Sequence, residues 1–302
     1  MKIVCIGSVN RDVVYAVDRI ASAGETVQAH SRHESWGGKG LNQAIALARG
    51  GAEVRMAAAV NRTEAVVENI LNSYGVRETL LHLSPEPTGH AVICVEESGQ
   101  NCITVFGGAN RTLTPDFLAR ALEPYGPGDV LVIQNETNAL CEIIRQAYEK
   151  GIRICFNSSP FSAEILSLPL ELVSCFLLNE TEGYYLTGEQ EARQILREAR
   201  RRFPRADILL TLGTSGSLYL DDTGVYEQSA FSVRAEDTTA AGDTFTGFFL
   251  AALARGCDIR QALRTASAAS ALAVSRPGAA QSIPTLEETQ QFLQLQTGGN
   301  GK

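Results

Sequence analysis

Short apolar runs alternate with longer stretches of helical periodicity along most of the chain. The runs that predict strands are rich in β-branched residues, and they lie at 2–7, 53–60, 129–134, 152–157, 175–179 and 207–213. Helical patterns lie at 40–50, 64–74, 139–150 and 189–202, and three more close the chain near 241–255, 258–275 and 285–295. Because strands separated by helices form βαβ units, the sequence predicts an α/β fold whose mainly parallel central sheet is flanked by helices.

Two stretches depart from this alternation. Residues 11–36 and 88–106 alternate apolar and polar positions as short strands do, and neither is followed by a helix of its own; the second has a hairpin pattern around Ser98-Gly99. We expect these strands to leave the main sheet and form a small β-strand lid on a single domain spanning 1–302. The closing TGGNGK (297–302) is expected to fray.

Composition and charge limit the class of protein. The 302 residues are 44% hydrophobic and 20% charged, as in an ordinary globular protein with a sizeable core. A net charge of -8 without a basic stripe argues against a nucleic-acid partner. The seven cysteines are scattered and form no C-x-x-C, which is typical of reduced thiols in a cytoplasmic protein. The opening MKIVCIGSVN does not predict a signal peptide, and the apolar run TFTGFFLAALA is too short to span a membrane.

Six loops rich in Gly, Asn, Asp and Glu fall at predicted strand ends. They are GSVNRD (7–12), GGKGLN (37–42), QNET (134–137), NETE (179–182), TLGTSG (211–216) and DTTAAGD (237–243). Turn formation and helix capping would explain any one of them alone. Ligands of open α/β sheets bind outside the carboxyl ends of the strands, so the six together indicate a ligand site there.

The stretch DTTAAGDTF (237–245) places one carboxylate, Asp243, in the first turn of a helix that is predicted to begin near Ala241. The first amides of a helix are unpaired and its dipole is positive there, so small side chains would let a phosphoryl group approach closely. Asp243 could then accept a proton from an incoming hydroxyl. Alternatively it only complements the helix dipole, worth about 0.3–1 kcal/mol, but this does not explain the small residues before it.

Several of these motifs together resemble the ribokinase (phosphofructokinase-B type) sugar kinase family. The resemblance rests on DTTAAGDTF, GGKGLNQA, LNETE followed by LTG, and TLGTSG, and it extends over nearly the whole chain from GSVNRD to RPGAAQSIP. The sequence has no Walker-A motif and no G-x-G-x-x-G after its first strand.

The resemblance implies ATP-dependent phosphorylation of the primary hydroxyl of a pentose, D-ribose first of all, with Mg²⁺ and K⁺ as cofactors. The alternatives are a kinase for deoxyribose, a nucleoside or another sugar, and a catalytically silent sugar-binding regulator on the same fold.

The resemblance also implies roles for individual residues. The base would be Asp243, with Ala240, Ala241 and Gly242 as an anion hole; the sugar would bind at Asn10, Asp12, Gly38, Lys39, Gly40, Asn42 and Glu136. The nucleotide would bind at Asn179, Thr211, Gly213, Ser215, Gly216 and Ser267, and Glu182 would reach Mg²⁺ through water. A monovalent cation would bind at Asp237, Thr239, Ala273, Arg276, Gly278 and Ser282.

Simpler explanations compete at a few of these positions. Asn179 and Glu182 have the spacing of a capping box, which is compatible with magnesium binding. Lys39 could be an ordinary surface lysine. Strand alternation puts Arg11 on the face opposite Asn10 and Asp12, so Arg11 is expected to be a solvated charge.

The sequence departs from the family pattern in two places. The stretch VNRTEAVVENIL (60–71) lacks the family's Gly-x-Asp and the glycine that follows, which affects the rim of the sugar site and any subunit contact there. Phe248 stands where the family has a small residue, and this is expected to change packing more than chemistry. Lid strands in the family often pair between subunits, so a homodimer through the lid is expected.

Overall fold

The structure is a computed structural model that describes residues 1–298. Its larger sheet has nine strands in the order β13-β12-β11-β10-β9-β8-β1-β4-β5. They are β1 (Ile3–Ile6), β4 (Val54–Asn61), β5 (Glu78–Ser84), β8 (Val130–Gln134), β9 (Arg153–Asn157), β10 (Cys175–Asn179), β11 (Asp207–Thr211), β12 (Ser217–Asp221) and β13 (Gly224–Gln228). The seven strands from β5 to β11 are parallel, and β12 and β13 form an antiparallel edge. The predicted mainly parallel sheet is confirmed.

A second sheet of four strands forms from the two segments predicted to leave the main sheet. Its strands are β2 (Asn10–Val17), β3 (Ala29–Gly37), β6 (Gly89–Glu96) and β7 (Asn101–Phe106), in the order β3-β2-β6-β7. The strands β2 and β6 run parallel in the centre, and each has an antiparallel neighbour outside it. We call this sheet the lid. The closing residues that were expected to fray, 297–302, reach beyond the described range, and 299–302 lie outside it.

Helices cover both faces of the larger sheet. They are α1 (Lys39–Arg49), α2 (Val67–Ser73), α3 (Pro115–Leu122), α4 (Leu140–Glu149), α5 (Glu180–Thr187), α6 (Ala192–Arg202), α7 (Ala241–Ala254), α8 (Ile259–Val274) and α9 (Leu286–Gly298). Alternation along β1 separates two cores: Ile3 and Cys5 face the helices α1, α7 and α8, whereas Val4 and Ile6 face α3, α4 and α6. None of the helices within residues 1–298 has the length and apolarity that crossing a bilayer requires.

The helices α1 and α7 cross closely, and this contact positions the predicted site. A Cβ atom on Gly247 would lie 2.3 Å from the Cβ of Ala46 and 2.8 Å from the amide nitrogen of Leu47, so α7 needs glycine there. The next residue, Phe248, is fully buried in the core on this face of the sheet. The unusual phenylalanine therefore fills the core and does not face the predicted site.

Candidate active site

A cleft of about 220 Å³ opens at the carboxyl ends of β9, β10 and β11 and at the start of α7. Eight of the residues singled out in the sequence line it: Lys39, Asn179, Glu182, Thr211, Ala240, Ala241, Gly242 and Asp243. They come from α1, the ends of β10 and β11, α5 and the first turn of α7. The parallel arrangement of the strands is what brings these distant loops to one edge of the sheet.

The carboxylate of Asp243 is held by two side-chain amides from α1. Its Oδ2 accepts a hydrogen bond from Asn42 Nδ2 at 3.1 Å, and its Oδ1 accepts one from Gln43 Nε2 at 2.9 Å. Gln43 Oε1 in turn accepts from Gln134 Nε2 at 2.8 Å. Asp243 is 6% exposed, so this acid is almost buried and is oriented by neutral donors.

The first turn of α7 leaves backbone amides free beside this carboxylate. Ala240 adopts the left-handed conformation (φ 59°) at the N-cap, a conformation that non-glycine residues rarely adopt outside functional sites. The amides of Gly242 and Asp243 donate no hydrogen bond to a loop, cap or side-chain acceptor within residues 1–298. The amide of Ala241 differs, because it donates to the carbonyl of Thr238 at 3.3 Å. The amide of Ala241, one of the three residues predicted to form the anion hole, is therefore already hydrogen-bonded within the loop.

Lys39 lies across the cleft from Asp243, at the first position of α1. Burial of its side chain acts to lower the pKa of the ammonium group, but Asp243, followed by Glu136 and Glu182, outweighs that effect and raises the pKa. Its ammonium group makes no ion pair with any residue in the described range 1–298. Lys39 is thus a half-buried cation facing the cleft, and it is not an ordinary surface lysine.

Asn10 lies at the start of the lid strand β2 and is almost fully buried. Its Oδ1 accepts from Asn110 Nδ2 at 2.8 Å, and Asn110 also bonds both backbone groups of Val9, at 3.0 and 3.2 Å. This clamp fixes the chain where it passes from the larger sheet into the lid.

Two carboxylates lie near each other at the base of the lid. Glu136 accepts from the hydroxyl of Ser8 and from the backbone amide of Lys39 at 3.0 Å. Asp12 lies against Gly37 on the neighbouring strand β3, where any side chain would collide with its carboxylate. Burial, and then the charge of Glu136, raises the pKa of Asp12 from 3.8 to about 6.

At the other end of the cleft, Asn179 and Glu182 form a complete capping box at the start of α5. Asn179 Oδ1 accepts from the Glu182 amide at 2.9 Å, while Glu182 accepts from the Asn179 amide at 2.9 Å and from Asn179 Nδ2 at 3.0 Å. Thr211 Oγ1 donates to the carbonyl of Leu178 at 3.3 Å. The predicted capping is confirmed, and both oxygens of Glu182 are engaged in it.

Comparison with known proteins identifies the family. Residues 1–286 match the model of the pfkB family carbohydrate kinases. The chain belongs to this family. It is 34% identical to a ribokinase of Staphylococcus aureus (strain COL) and 30% identical to a deoxyribokinase of Salmonella typhi, covering 96% and 98% of this chain and 99% of each relative. A structure of Arabidopsis thaliana ribokinase complexed with ribose and ATP superimposes with a TM-score of 0.83 at 27% identity, covering 97% of this chain and 98% of that one.

The protein is therefore an ATP-dependent carbohydrate kinase of the pfkB family, as the sequence motifs predicted. Its enzymatic class implies ATP and a divalent metal ion.

Four residues of this pfkB kinase that were predicted to bind nucleotide do not line the cleft: Gly213, Ser215, Gly216 and Ser267. The first three form a 3₁₀ turn and its cap between β11 and β12. Ser267 lies on α8, and its hydroxyl donates to the carbonyl of Ser229 at 3.3 Å. That these residues bind the distal part of a nucleotide stays a prediction.

The residues predicted to bind a monovalent cation gather between the loop before α7 and the end of α8. The carboxylate of Asp237 accepts from the Thr239 amide and from the Gly278 amide, each at 2.8 Å. The carbonyl of Ala273 accepts the amide of Arg276 at 3.1 Å. Asp237 thus ties the two loops together.

Ser282 and the side chain of Arg276 are turned away from this loop pair. The Ser282 hydroxyl donates to the carbonyl of Ala279 at 2.7 Å, and the Arg276 guanidinium pairs with Glu288 at 2.7 Å. The Arg276 side chain is thus engaged elsewhere, whereas its backbone oxygen and the lone pairs of the Ser282 hydroxyl are not used by these bonds.

The prediction for Arg11 is wrong. This arginine is half-buried: it forms ion pairs with Glu34 at 2.6 Å and with Glu64 at 3.5 Å, and its guanidinium lies 4.9 Å from the ring centroid of Trp36. Alternation correctly put it on the face opposite Asp12, but that face is covered by the loop after β4. This is the loop that lacks the family's glycines, and it is closed by Asn61, whose Oδ1 accepts from Thr63.

Other lining residues were not recognised from the sequence: Asn157, Ser159, Leu177, Leu178, Leu209, Thr238 and Thr246. The polar NSS that follows β9 resembles the other strand-end loops and could have been included on that ground. Gln43 and Gln134 were missed as well. Gln43 lies within GGKGLNQA and Gln134 begins QNET, but only the fold brings the two side chains together.

Proposed function

We propose that this kinase transfers the γ-phosphoryl group of ATP to the primary hydroxyl of D-ribose, giving ribose 5-phosphate and ADP. The O5–H bond of the sugar breaks as its proton passes to Asp243. The sugar oxygen forms a bond to the γ-phosphorus, and the bond from that phosphorus to the bridging oxygen breaks, so that the electron pair leaves with ADP. Positioning and charge stabilisation provide most of the catalysis in reactions of this kind.

The observation that carries this proposal is the relation of Asp243 to the start of α7. Its carboxylate and the free amides of Gly242 and Asp243 open onto the same cleft, and a Cβ atom on Gly242 would meet nothing within 4 Å. A phosphoryl group at these amides would therefore lie beside the acid that receives the proton. Lys39 adds a positive charge to the same cleft.

The proposed sugar site lies between the base of the lid and α1. Asn42 supports this placement, because its Nδ2 donates to Asp243 while its buried Oδ1 has no partner among residues 1–298. A sugar hydroxyl would reach that oxygen only if the side chains that cover it moved aside, and it would then be adjacent to the base. Asn10, Asp12 and Glu136 provide further acceptors, and Gly38, Lys39 and Gly40 form the intervening turn into α1.

Mg²⁺ is proposed to bind mainly through the phosphates of ATP. Both oxygens of Glu182 accept hydrogen bonds in the capping box, and the described residues contain no cluster of three or more His, Cys, Asp or Glu side chains that could hold an ion. Mg²⁺ usually keeps several waters and takes one or two carboxylates, so these residues fit an ion that Glu182 reaches through water. When bound, the ion would neutralise phosphate charge. Asn179 and Thr211 would contact the phosphates, with Gly213, Ser215, Gly216 and Ser267 beyond them.

K⁺ is proposed to stabilise the loop pair joined by Asp237. The backbone oxygens of Ala273, Arg276 and Gly278, with Ser282, would complete its coordination, and Thr239 would hold the loop that leads into α7. An ion there would fix the free amides of the first turn, since Asp237 and Gly242 lie in one short segment.

A panel of substrates tests the proposed reaction. ADP release would be measured with D-ribose, deoxyribose, other pentoses, hexoses and nucleosides, each in Mg²⁺ with and without K⁺. We expect D-ribose to give the highest kcat/KM and K⁺ to increase it. A preference for deoxyribose would favour the activity named for the Salmonella relative, and sugar binding without any turnover would indicate a silent regulator.

The variant Asp243→Asn tests the base. Loss of a general base typically lowers the rate ~10²–10⁴-fold, and we expect kcat to fall by that factor while the affinity for ATP is largely kept. Turnover at the wild-type rate would contradict the proposed mechanism.

A further inference from the structure

We propose that Gln43 is a positioning residue for the phosphoryl transfer, and that Gln134 behind it fixes the orientation in which Gln43 holds Asp243. The inference rests on the proposed function, in which Asp243 receives the proton. It concerns two buried side chains that do not line the cleft and that none of the recognised motif roles explains.

The three side chains form a chain of hydrogen bonds with one direction. An ionised carboxylate can only accept, so Gln43 must present its Nε2 to Asp243 Oδ1, at 2.9 Å. That choice points Gln43 Oε1 away from the site, where it accepts from Gln134 Nε2 at 2.8 Å. The charge state of Asp243 therefore determines the orientation of both amides.

The far end of this chain carries an unsatisfied group. Gln134 Oε1 is buried and has no hydrogen-bond donor among residues 1–298. Turning the Gln134 amide over would not help, because its oxygen would then face the oxygen of Gln43. Buried polar atoms are rarely left unpaired, and those that are often occur at functional sites. The unpaired oxygen is the consequence of keeping a donor aimed at Asp243.

The surroundings keep this arrangement rigid. Gln43 and Gln134 are both completely buried, and they lie on α1 and β8, so two separate elements fix the carboxylate on α7. A Cβ atom on Gly7 would lie 2.0 Å from Gln134 Oε1, so glycine provides the space that this oxygen occupies. With Asn42 on Oδ2, the carboxylate is held at both oxygens, and its plane is defined relative to the free amides.

The first test is the variant Gln43→Met, which keeps the length of the side chain and removes the donor. We expect kcat to fall ~10–100-fold with little change in KM for ATP, because small displacements of catalytic groups have effects of this size. The acid side of the kcat–pH profile should move to higher pH, since a hydrogen bond to the charged form of an acid favours that form.

Lys39 and Cys5 face this region, and neither should produce that change in the pH profile. Asp12, whose pKa is raised to about 6 by burial and then by the charge of Glu136, acts on sugar binding, so the profile is recorded as kcat at saturating D-ribose. Lys39, on the cleft side, has a pKa raised above its usual value of 10.5. Burial raises the pKa of the Cys5 thiol, beneath Gln134, to about 12 despite the opposing hydrogen bond from Gln134. Both keep one protonation state across the assay range.

The second test acts at a distance. In Gln134→Glu burial favours the protonated acid, which can donate to Gln43 Oε1 as Gln134 does, so we expect kcat to stay close to the wild-type value. Gln134→Leu removes the donor, and we expect kcat to fall, though by less than in Gln43→Met. The control is Thr244→Val, which replaces a buried hydroxyl without a partner in the described chain, next to Asp243 in sequence, and should leave kcat and the pH profile unchanged.

Thermal unfolding of every variant separates positioning from folding. A Gln43→Met enzyme that unfolds at lower temperature but keeps the wild-type kcat and pH profile would show that the chain only fills the core, and would overturn the inference. If Asp243→Asn abolishes turnover but Gln43→Met keeps the wild-type kcat, the positioning role of Gln43 is contradicted and the proposed function is not. If Asp243→Asn turns over normally, the proposed function fails first.

Discussion

Asp12 carries a prediction about pH. Its pKa of about 6 lies well above the ordinary value because burial, and then Glu136, disfavours the ionised form. Below pH 6 the free enzyme holds this carboxyl protonated, and a protonated acid has lost part of its capacity to accept hydroxyl hydrogens from a sugar. We therefore expect KM for D-ribose to be constant above pH 7 and to rise about tenfold for each pH unit below 6.

The control for this prediction is Asp12→Asn. That variant should bind sugar weakly, and its KM should not follow the same pH dependence, so any titration of ATP itself appears in both enzymes. The raised pKa of Asp12 also affects folding. Because the folded protein binds this proton more tightly than the unfolded chain, protonation stabilises the folded state at low pH, and this contribution is lost as the pH rises through about 6. A KM for D-ribose that stays flat from pH 5 to pH 8 would exclude Asp12 as an acceptor for the sugar.

Residue roles could be predicted from the sequence only where one motif contains the whole interaction. The capping box of Asn179 and Glu182 is an example, because its partners are three positions apart. The bond from Gln43 to Asp243 joins positions 200 apart, and nothing local indicates it. Arg11 shows a related failure, since strand alternation gives the face of a side chain but not what covers that face.

At the scale of elements, the contact between α1 and α7 is a sensitive point. In Gly247→Ala the new methyl would overlap Ala46 on α1, and overpacking of this kind typically costs 1–3 kcal/mol, or roughly a few degrees in the melting temperature. We also expect a lower kcat, because the two helices that separate carry Gln43 and Asp243. Calorimetry and steady-state rates would measure the two effects.

Gly126→Ala is the matched control. A Cβ atom there would meet nothing within 4 Å, so the same substitution should leave stability unchanged or slightly increased. If Gly247→Ala behaved like Gly126→Ala, the two helices would be less tightly packed than described.

The interior strands of the larger sheet and the closing helices were predicted well, and the strands towards its two edges, β5, β12 and β13, were not. The closing helices α7, α8 and α9 begin within one residue of their predicted starts. The strand β5 was missed because it lies at the edge and is only half-buried, so its apolar pattern is diluted. The hairpin of β12 and β13 was missed too, and its outer strand has alternating, mostly accessible positions. Burial in the final fold, which the local sequence does not contain, determines these elements.

At the scale of the whole molecule, the lid exposes an apolar face. Ile103 and Val105 on β7 are 54% and 57% exposed. Strand register places Asp12, Ala91 and Val105 opposite one another, so they share one face, and the apolar patch continues from the proposed sugar site to the free edge of the sheet. We propose that this face pairs with a second copy of the chain, since an uncovered edge strand of this kind invites association.

The variant Val105→Lys tests this homodimer. We expect light scattering to give about twice 32.4 kDa for the wild type and about that mass for the variant, because the charge cannot be buried at the interface. Leu166→Lys changes a residue of equal exposure outside the lid and should leave the mass unchanged. A wild-type protein that is monomeric at assay concentrations would contradict the proposal.

The passage from the lid into the body of the enzyme is unusually short. The strand β3 ends at Gly37 and α1 begins at Lys39, so one residue, Gly38, joins them. A Cβ atom on Gly38 would lie 2.9 Å from the carbonyl oxygen of Ser8, which lies in the connection from β1 to β2. Three further crossings, at residues 7–9, 85–88 and 107, also join the lid to the body, so the lid is held at four short connections with little slack. Insertions in the lid, such as a fluorescent reporter, therefore belong at the outer tip, Ser98-Gly99, where a longer chain leaves all four connections unchanged.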